Sequence, residues 1–455
     1  ATYRLGKQLG GRRIGLWAAL LLAATPKFWL FSRQLSGDVY MTALLTWALA
    51  LALPSVGGRV SRSALRGANV LIGVGWLAKG PVILVLYGGA LLFAWLLAPK
   101  DKRATWAALR PLRSLALVVA IGCPWFVYMA SRYDDFYQLH FGHYMIRRVL
   151  GDIGQRNWAF YLRALIGDAQ PWITVLPFAA WMAWRARDRR PQALLPWALI
   201  VWTVVFFTLS RGKRNVYLLP VYPLMAVAIG PLALAVWDRA HRAGVRLASF
   251  GCFVGCVGGA LMLYLLAGNE PRLEPEIWWP FGMFAVFALP FLVAGWKGWG
   301  RGVAAGAVAH VLCAQVSVAL AFPALARFRP VPAFAAHVRS VQDADQPEPV
   351  IIYRVAIHSM NFYLGRRTAV ARDHEELLEH LGTSTTAYVL VPQHRFDAPG
   401  KREGEPRRGL KHDLPNLEYE EIDRRPILTF RFDRSILGRG PTTRDLLLLR
   451  ITRPK

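Results

Sequence analysis

Residues 68–98 read ANVLIGVGWLAKGPVILVLYGGALLFAWLLA, an apolar run that is interrupted by the triplet Lys79-Gly80-Pro81. A membrane-spanning helix needs about 20 apolar residues, so this run is too long for one span. Proline ends a helix or forces a kink in it. We therefore predict that the chain crosses a membrane and that two helices meet next to Lys79.

Apolar runs recur along the chain on both sides of this stretch. They lie at 14–31, 37–54, 114–131, 169–184, 193–210, 216–236, 248–267, 278–296 and 302–323. Hydrophobic residues make up 55% of the 455 residues, and a soluble domain does not repeat runs that match a hydrocarbon core of about 30 Å. Counting 68–98 as two spans, we predict an all-α polytopic membrane domain of about eleven transmembrane helices over residues 1–326.

Basic residues lie in short segments between the apolar runs and give the chain a formal net charge of +27. The segments contain Arg12 and Arg13; Arg59, Arg62 and Arg66; Lys100, Lys102, Arg103, Arg110 and Arg113; Arg185, Arg187, Arg189 and Arg190; Arg239, Arg242 and Arg246; and Lys297 and Arg301. Alternation through the predicted spans puts them all on one side, which the positive-inside rule identifies as the cytoplasm. Membrane orientation thus explains the charge, and we predict no nucleic-acid partner.

Beyond Arg327 the composition becomes that of an ordinary soluble domain. The stretch DHEELLEHL (373–381) predicts a helix, and four apolar stretches predict strands, namely VIIYR (350–354), AYVLVP (387–392), LTFRF (428–432) and DLLLLRI (445–451). We predict a small α/β domain over residues 327–455. It follows the last predicted span and therefore lies on the non-cytoplasmic side, which is the periplasm if the membrane is a bacterial inner membrane.

Two charged residues stand at the non-cytoplasmic ends of predicted helices. Asp38 opens the run at 37–54, where it suits either a helix N-cap or a functional carboxylate. Lys79 could extend its ammonium group to water along the membrane boundary. Its place between two helices, before Gly-Pro, favours instead a cavity in which it neutralises an anion.

The loop 134–157, DDFYQLHFGHYMIRRVLGDIGQRN, gathers polar side chains between two apolar runs, and ionisable residues in such a place indicate a functional site. His140 and His143 share a face if the loop is helical, and imidazole is a common zinc ligand, although structural histidines are at least as frequent. Arg147 and Arg148 suit bidentate phosphate binding, to a substrate or to lipid headgroups.

The segment SRGKRNVYLLPVYP (210–223) carries Arg211 and Lys213 on the side that should be poor in basic residues. Binding of a phosphate or pyrophosphate would explain them. Tyr217 could belong to the same site or to the aromatic belt at the membrane surface. Asp168 adds a carboxylate near this boundary, with either a functional or a structural role.

The motifs WLAKGPVILVLYG, FGHYMIRRVLGD, NWAFYLRALIGDAQPW and KRNVYLLPVYP, in this order, resemble those of the polyprenyl-phosphate-sugar-dependent glycosyltransferases of the GT-C fold. Within this group, the sequence most resembles the aminoarabinose transferases that act on lipid A and the dolichyl-phosphate-mannose protein mannosyltransferases. The resemblance implies a transferase that moves a sugar from a polyprenyl phosphate to a glycolipid or protein acceptor, outside a bacterial inner membrane.

The resemblance also implies roles for individual residues. His143 matches a histidine that is implicated in binding a divalent metal (zinc, or magnesium or manganese), although Gly142 stands where the family has a glutamate. Asp38 matches a family carboxylate and is the candidate catalytic residue within this chain. The residues expected around the donor phosphate are Lys79, Arg147, Arg148, Arg211, Lys213 and Tyr217.

The family begins with a span and a long outer loop that carries an acidic catalytic residue, whereas this sequence begins within what should be the second span. We therefore expect the first span and loop to be missing and the catalytic base to lie outside the chain. A transporter or flippase of lipid-linked sugars is a competing interpretation, but transporters favour sites at the bilayer midplane. A non-catalytic membrane protein that binds lipid-linked sugar is another.

Overall fold

A computed structural model describes most of the chain. The residues left undescribed are 57–60, 98–101, 139–141, 143–145, 147–156, 170–171, 239–241, 270–271, 273, 343–346, 356, 358, 383, 398–399, 403–404, 408, 431–440 and 454–455. The chain divides into two compact units. The first contains Ala1–Leu261 and Phe281–Val316, and the second contains Met262–Pro280 and Ser317–Lys455.

The first unit is built from helices. These are α1 Thr2–Gly10, α2 Arg12–Ala23, α3 Pro26–Ser32, α4 Gly37–Val56, α5 Arg62–Lys79, α6 Val82–Leu96, α7 Lys102–Leu109, α8 Pro111–Gly122, α9 Pro124–Arg132, α10 Phe160–Asp168, α11 Leu176–Ala186, α12 Leu195–Leu209 and α13 Val221–Trp237, with parts of α14 Arg242–Asn269, α15 Glu274–Trp296 and α16 Gly300–Leu325. The predicted break in the longest apolar run is confirmed, because α5 ends at Lys79 and α6 begins at Val82.

Four stretches of the described residues are long and apolar enough to cross a membrane, namely Gly37–Pro54, Pro191–Leu209, Arg242–Leu265 and Trp278–Trp296. Two bent helix pairs, α2 with α3 and α8 with α9, could raise the number to six. The predicted helical membrane domain is therefore confirmed, but its eleven spans are not. Several predicted spans correspond to helices shorter than a full crossing, among them α6 and α13.

The helices of the first unit pack around two neighbouring clusters of buried apolar side chains. One is formed mainly by α4, α5, α6 and α12, and the other by α2, α13, α14 and α16. Lipid does not drive helices together as water does, so small residues that allow close packing stabilise such contacts. Gly230 of α13 shows this, because a Cβ there would lie 3.2 Å from the Ile14 carbonyl oxygen of α2.

The second unit contains a five-stranded mixed sheet. Its strands are β1 Val350–Tyr353, β2 Ala369–Ala371, β3 Thr386–Pro392, β6 Glu418–Phe430 and β7 Pro441–Thr452, in the order β2-β1-β3-β7-β6. The β2-β1-β3 half is parallel, and β7 pairs antiparallel with β3 and β6. A separate hairpin joins β4 Gly400–Arg402 and β5 Glu405–Arg407.

Short helices accompany this sheet. They are α17 Val331–Val341, α18 Ser359–Leu364, α19 His374–Leu381, α20 Gln393–Phe396 and α21 Leu410–Asp413. Helix α19 coincides with the predicted one and is capped by side chains: Asp373 accepts from the Glu376 backbone N–H at 2.9 Å, and Glu376 accepts from the Arg372 backbone N–H at 2.8 Å. The small C-terminal α/β domain is thus confirmed.

Candidate functional site

Lys79 is the last residue of α5, and the break that follows it fixes its position. Gly80 has φ 88° and its N–H donates to the Trp76 carbonyl, which ends the helix in a backbone conformation that favours glycine. Pro81 then directs the chain into α6. The Lys-Gly-Pro sequence therefore places one ammonium group at a helix end between two packed helices.

The first turn of α4 lies directly against this helix end. A Cβ on Gly37 would lie 2.3 Å from the Ala78 carbonyl oxygen, so a glycine is needed for this approach. The next residue, Asp38, accepts a hydrogen bond from Lys79 Nζ at 2.7 Å. Two residues that are far apart in the sequence thus form an ion pair at the junction of α4 and α5.

The two partners of this pair differ in burial. The side chain of Asp38 is 5% exposed and that of Lys79 is 24% exposed. The second carboxylate oxygen, Asp38 Oδ1, is buried and has no hydrogen-bond partner in the described structure. Asp38 lies inside the first turn of α4 and pairs with Lys79, so its interpretation as an N-cap is wrong.

Tyr217 completes a cluster with this pair. Lys79 Nζ lies 5.4 Å from the centroid of the Tyr217 ring, within the range of a cation–π interaction. The ring stacks on Phe207 with centroids 5.2 Å apart. We call Asp38, Lys79 and Tyr217 the Lys79 cluster. Three separate segments of the chain contribute to it.

The basic segment before Tyr217 is anchored beside the same cluster. The Arg214 backbone N–H donates to the Tyr161 hydroxyl of α10 at 3.2 Å. Burial, and to a smaller extent the charge of Asp38, raise the pKa of Tyr161. Tyr161 therefore lies between the Lys79 cluster and residues 210–214.

Lys213 and Arg211 differ in their surroundings. Lys213 is 6% exposed and donates to the Ser210 carbonyl, and burial lowers the pKa of its ammonium group. A nearby anion would raise that pKa again, because opposite charge favours the protonated form. Arg211 is exposed. The segment thus offers one buried and one exposed cation.

A second, partly buried ion pair lies in the same unit. Lys27 Nζ lies 3.1 Å from Asp168 Oδ1, while Asp168 Oδ2 and the Tyr222 hydroxyl are buried without hydrogen-bond partners in the described structure. Burial raises the pKa of Asp168, and Lys27 partly opposes this rise. Thr25 accepts from the Trp172 indole at 3.1 Å nearby. Asp168 is therefore the counter-ion of Lys27.

The predicted site residues of the long outer loop are not tested. His143, Arg147 and Arg148, together with His140, lie outside the described residues. Among the residues that are described, no group of three or more His, Cys, Asp or Glu side chains is arranged to hold a metal ion. The predicted divalent metal therefore remains a prediction that depends on His143.

Sequence reasoning missed two contributors to these clusters. Lys27 lies within the apolar run 14–31, and the Thr25-Pro26 sequence before it was the available signal, since it bends the chain by 69° between α2 and α3. Tyr161 lies within the motif NWAFYLRALIGDAQPW, but nothing in that motif singled it out. Of the predicted residues, the structure brings together Asp38, Lys79 and Tyr217.

In sequence, the chain is similar to known glycosyltransferases. Residues 1–128 match the family model described as dolichyl-phosphate-mannose-protein mannosyltransferase. An undecaprenyl phosphate-alpha-4-amino-4-deoxy-L-arabinose arabinosyl transferase of Pseudomonas aeruginosa (strain LESB58) is 30% identical over 332 residues, which cover 68% of this chain and 56% of that protein. A protein of the same description from Pseudomonas paraeruginosa is 29% identical with the same coverage. The chain spans about half the length of these curated relatives.

The fold is similar to that of solved structures over nearly the whole chain. The crystal structure of ArnT from Cupriavidus metallidurans bound to undecaprenyl phosphate matches with a TM-score of 0.73 and 19% identity, covering 98% of this chain and 81% of that protein. Its apo structure matches with a TM-score of 0.72. These matches confirm the predicted GT-C membrane fold and, with the sequence matches, the resemblance to polyprenyl-phosphate-sugar-dependent glycosyltransferases.

Proposed function

We propose that the chain carries the donor-phosphate site of a membrane glycosyltransferase, which moves a sugar from a polyprenyl phosphate to a lipid A-like or protein acceptor. The observation that carries the proposal is the Lys79 cluster. A lysine held by a buried carboxylate against an aromatic ring is a preorganised cation, and residues 210–214 add further positive charge beside it. The names of the curated relatives suggest an undecaprenyl phosphate-linked aminoarabinose as the donor.

The reaction is a displacement at the anomeric carbon of the sugar. An acceptor oxygen forms a bond to that carbon, the bond to the phosphate oxygen breaks, and its electron pair stays on the departing polyprenyl phosphate. Preorganised cations stabilise negative charge where it develops, and this is the role of Lys79, Lys213 and Arg211. A general base takes the acceptor proton, and we assign none among the described residues.

Asp38 acts in this proposal as a positioning residue. Its bonded oxygen fixes the ammonium group of Lys79, and its burial keeps water from competing for that bond. Its Oδ2 already accepts a hydrogen bond from Lys79 Nζ and its Oδ1 is buried, so neither oxygen is open to an acceptor hydroxyl. The arrangement thus favours an electrostatic role over the catalytic role first considered for Asp38.

The outer loop would contribute Arg147 and Arg148 to the phosphate and His143 to a divalent metal. A lone histidine is an incomplete metal site, so no step of the reaction is assigned to a metal. Metal analysis of the purified protein, with His143→Ala as the comparison, tests this part. Equal metal content in the two proteins would contradict it.

We further propose that the protein lies in a bacterial inner membrane with about eleven spans and with its C-terminal domain in the periplasm. The one-sided distribution of arginine and lysine supports this orientation. Single cysteines introduced at Arg189 and at Glu420 provide a test. An impermeant thiol reagent added to intact spheroplasts should label the second position and spare the first, and the reverse labelling would contradict the orientation.

The central test is sugar transfer by alanine variants. In a form of the protein that is active, Lys79→Ala and Lys213→Ala should abolish transfer from an undecaprenyl phosphate-linked aminoarabinose to lipid A in membranes while expression stays normal. Lys297→Ala, an exposed lysine elsewhere in the unit, is the matched control and should keep full activity. Normal transfer by both variants would refute the assignment.

A further inference from the structure

An apolar cleft of the first unit lies away from the Lys79 cluster. It is bounded by α2, α13, α14 and α16, and its lining side chains are alanines, branched aliphatics, two tryptophans and a cysteine. Its lining includes Trp17, Val236, Ala248 and Ala304, one from each helix. All four belong to the helix halves next to the basic segments, so the cleft reaches toward the basic side of the membrane domain, and Trp172 and Val175 from the segment after Asp168 also line it.

The size of the cleft limits what can occupy it. Even with adjoining open solvent included, its empty space is about 480 Å³. A helix about 10 Å wide that crosses a hydrocarbon core of about 30 Å occupies roughly 2,400 Å³. The cleft is therefore too small for a whole transmembrane helix of a partner, whereas part of a linear hydrocarbon chain would fit.

Aromatic and cationic side chains stand at the basic end of the cleft. Trp17, which lines the cleft, lies next to Trp237 with ring centroids 5.4 Å apart. The Arg301 guanidinium lies 5.8 Å from the centroid of the Trp237 ring, and Arg13 bonds to Asp238 at 2.6 Å. Tryptophan favours the interface between headgroups and hydrocarbon, so this end lies at headgroup depth.

The charge at this end is strongly one-sided. The helix ends that meet here carry Arg12, Arg13, Arg242, Arg246, Lys297 and Arg301. Among the described residues of these helix ends, the acidic side chain is that of Asp238. Asp238 neutralises Arg13, and an excess of positive charge remains. Basic pockets between membrane helices on this side of a bilayer suit anionic lipid headgroups.

We propose that this cleft binds an anionic phospholipid from the leaflet on the basic side, with one acyl chain between α2 and α16 and its phosphate beside Arg301. The inference is independent of the proposed sugar transfer, because it concerns other residues and the other end of the helices. The lipid would fill an apolar space between helices and join α2, α13 and α16 at their basic ends.

Binding of defined lipids to the delipidated protein tests the proposal. Native mass spectrometry in detergent should show dioleoylphosphatidylglycerol bound at least tenfold more tightly than dioleoylphosphatidylcholine. Arg301→Gln should weaken binding of phosphatidylglycerol at least fivefold and weaken that of phosphatidylcholine less, because the choline ammonium already neutralises the phosphate. Arg189→Gln, an exposed arginine of another basic segment, is the control and should bind as the wild type does.

A second pair of variants tests the acyl-chain half of the site. Ala307→Trp fills the cleft and should weaken binding of both lipids at least tenfold, whereas Ala285→Trp on an exposed helix face should not. Equal affinity for the two lipids, or unchanged binding in Ala307→Trp, would overturn the proposal. If Ala307→Trp does not fold, the result for Arg301→Gln decides.

Discussion

Removing either partner of the Asp38–Lys79 pair should destabilise the protein, and by unequal amounts. At 2.7 Å, an effective dielectric constant of about 20 gives an attraction of roughly 6 kcal/mol. Desolvation of the two charges offsets much of this attraction, but breaking a buried pair still costs about 3–5 kcal/mol when one charge is left uncompensated. The cost therefore depends on which charge remains.

The difference in burial sets the order of the two effects. In Lys79→Met the remaining carboxylate is 5% exposed and cannot reach water, so we expect a loss of about 3–4 kcal/mol. In Asp38→Asn the remaining ammonium is 24% exposed and can turn toward water, so we expect only about 1–2 kcal/mol. The double variant should lose at least about 1 kcal/mol less than the sum of the single losses.

The measurement is the free energy of unfolding in mixed micelles, from titration with sodium dodecyl sulfate followed by far-ultraviolet circular dichroism. Lys297→Met, which removes an exposed lysine, is the control and should change stability by less than about 0.5 kcal/mol. A larger loss for Asp38→Asn than for Lys79→Met would refute the reasoning from burial. Additive losses would show that the pair is not energetically coupled.

Three further predictions concern other parts of the molecule. Gly37→Ala should destabilise the protein by about 1–3 kcal/mol, because its Cβ would meet a carbonyl oxygen of α5 at 2.3 Å; Gly88→Ala, where nothing lies within 4 Å, should not destabilise it. Burial raises the pKa of Asp168 in the folded protein above its value in the unfolded chain. The contribution of Asp168 to stability is therefore fully present below the unfolded pKa and is lost as pH rises through the folded pKa. Asp168→Asn should remove this part of the pH dependence of the melting temperature. Asp373→Ala should cost the C-terminal domain about 1 kcal/mol through loss of the α19 cap, whereas exposed Glu375→Ala should cost little, as measured by thermal unfolding.

The sequence was sufficient for features that depend on local pattern. The break at Gly80 was predictable, because an apolar run with an internal Gly-Pro cannot continue as one helix. The buried strands β1, β3 and β7 were predictable for a similar reason, since they are continuous apolar runs. Strand β6 begins at Glu418, earlier than predicted, because its first half is charged and lies at the edge of the sheet, where no apolar period is required.

The contacts within the candidate site depended on packing that no local pattern contains. Asp38 and Lys79 are brought together by the close approach of α4 and α5 at Gly37, and nothing in either segment specifies the other as its partner. Lys27 was hidden in an apolar run because hydropathy averages over its neighbours. Its partner Asp168 identifies it only once the fold is known.

Binding of undecaprenyl phosphate tests most directly the claim that the Lys79 cluster and residues 210–214 hold a phosphate. Affinity for undecaprenyl phosphate and for undecaprenol would be compared in the wild type, in Lys79→Ala with Lys213→Ala, and in Lys297→Ala. We predict that the wild type and the Lys297 variant prefer the phosphate at least tenfold, and that the double variant loses this preference while still binding the alcohol. An undiminished preference for the phosphate in a folded double variant would show that these residues do not hold it.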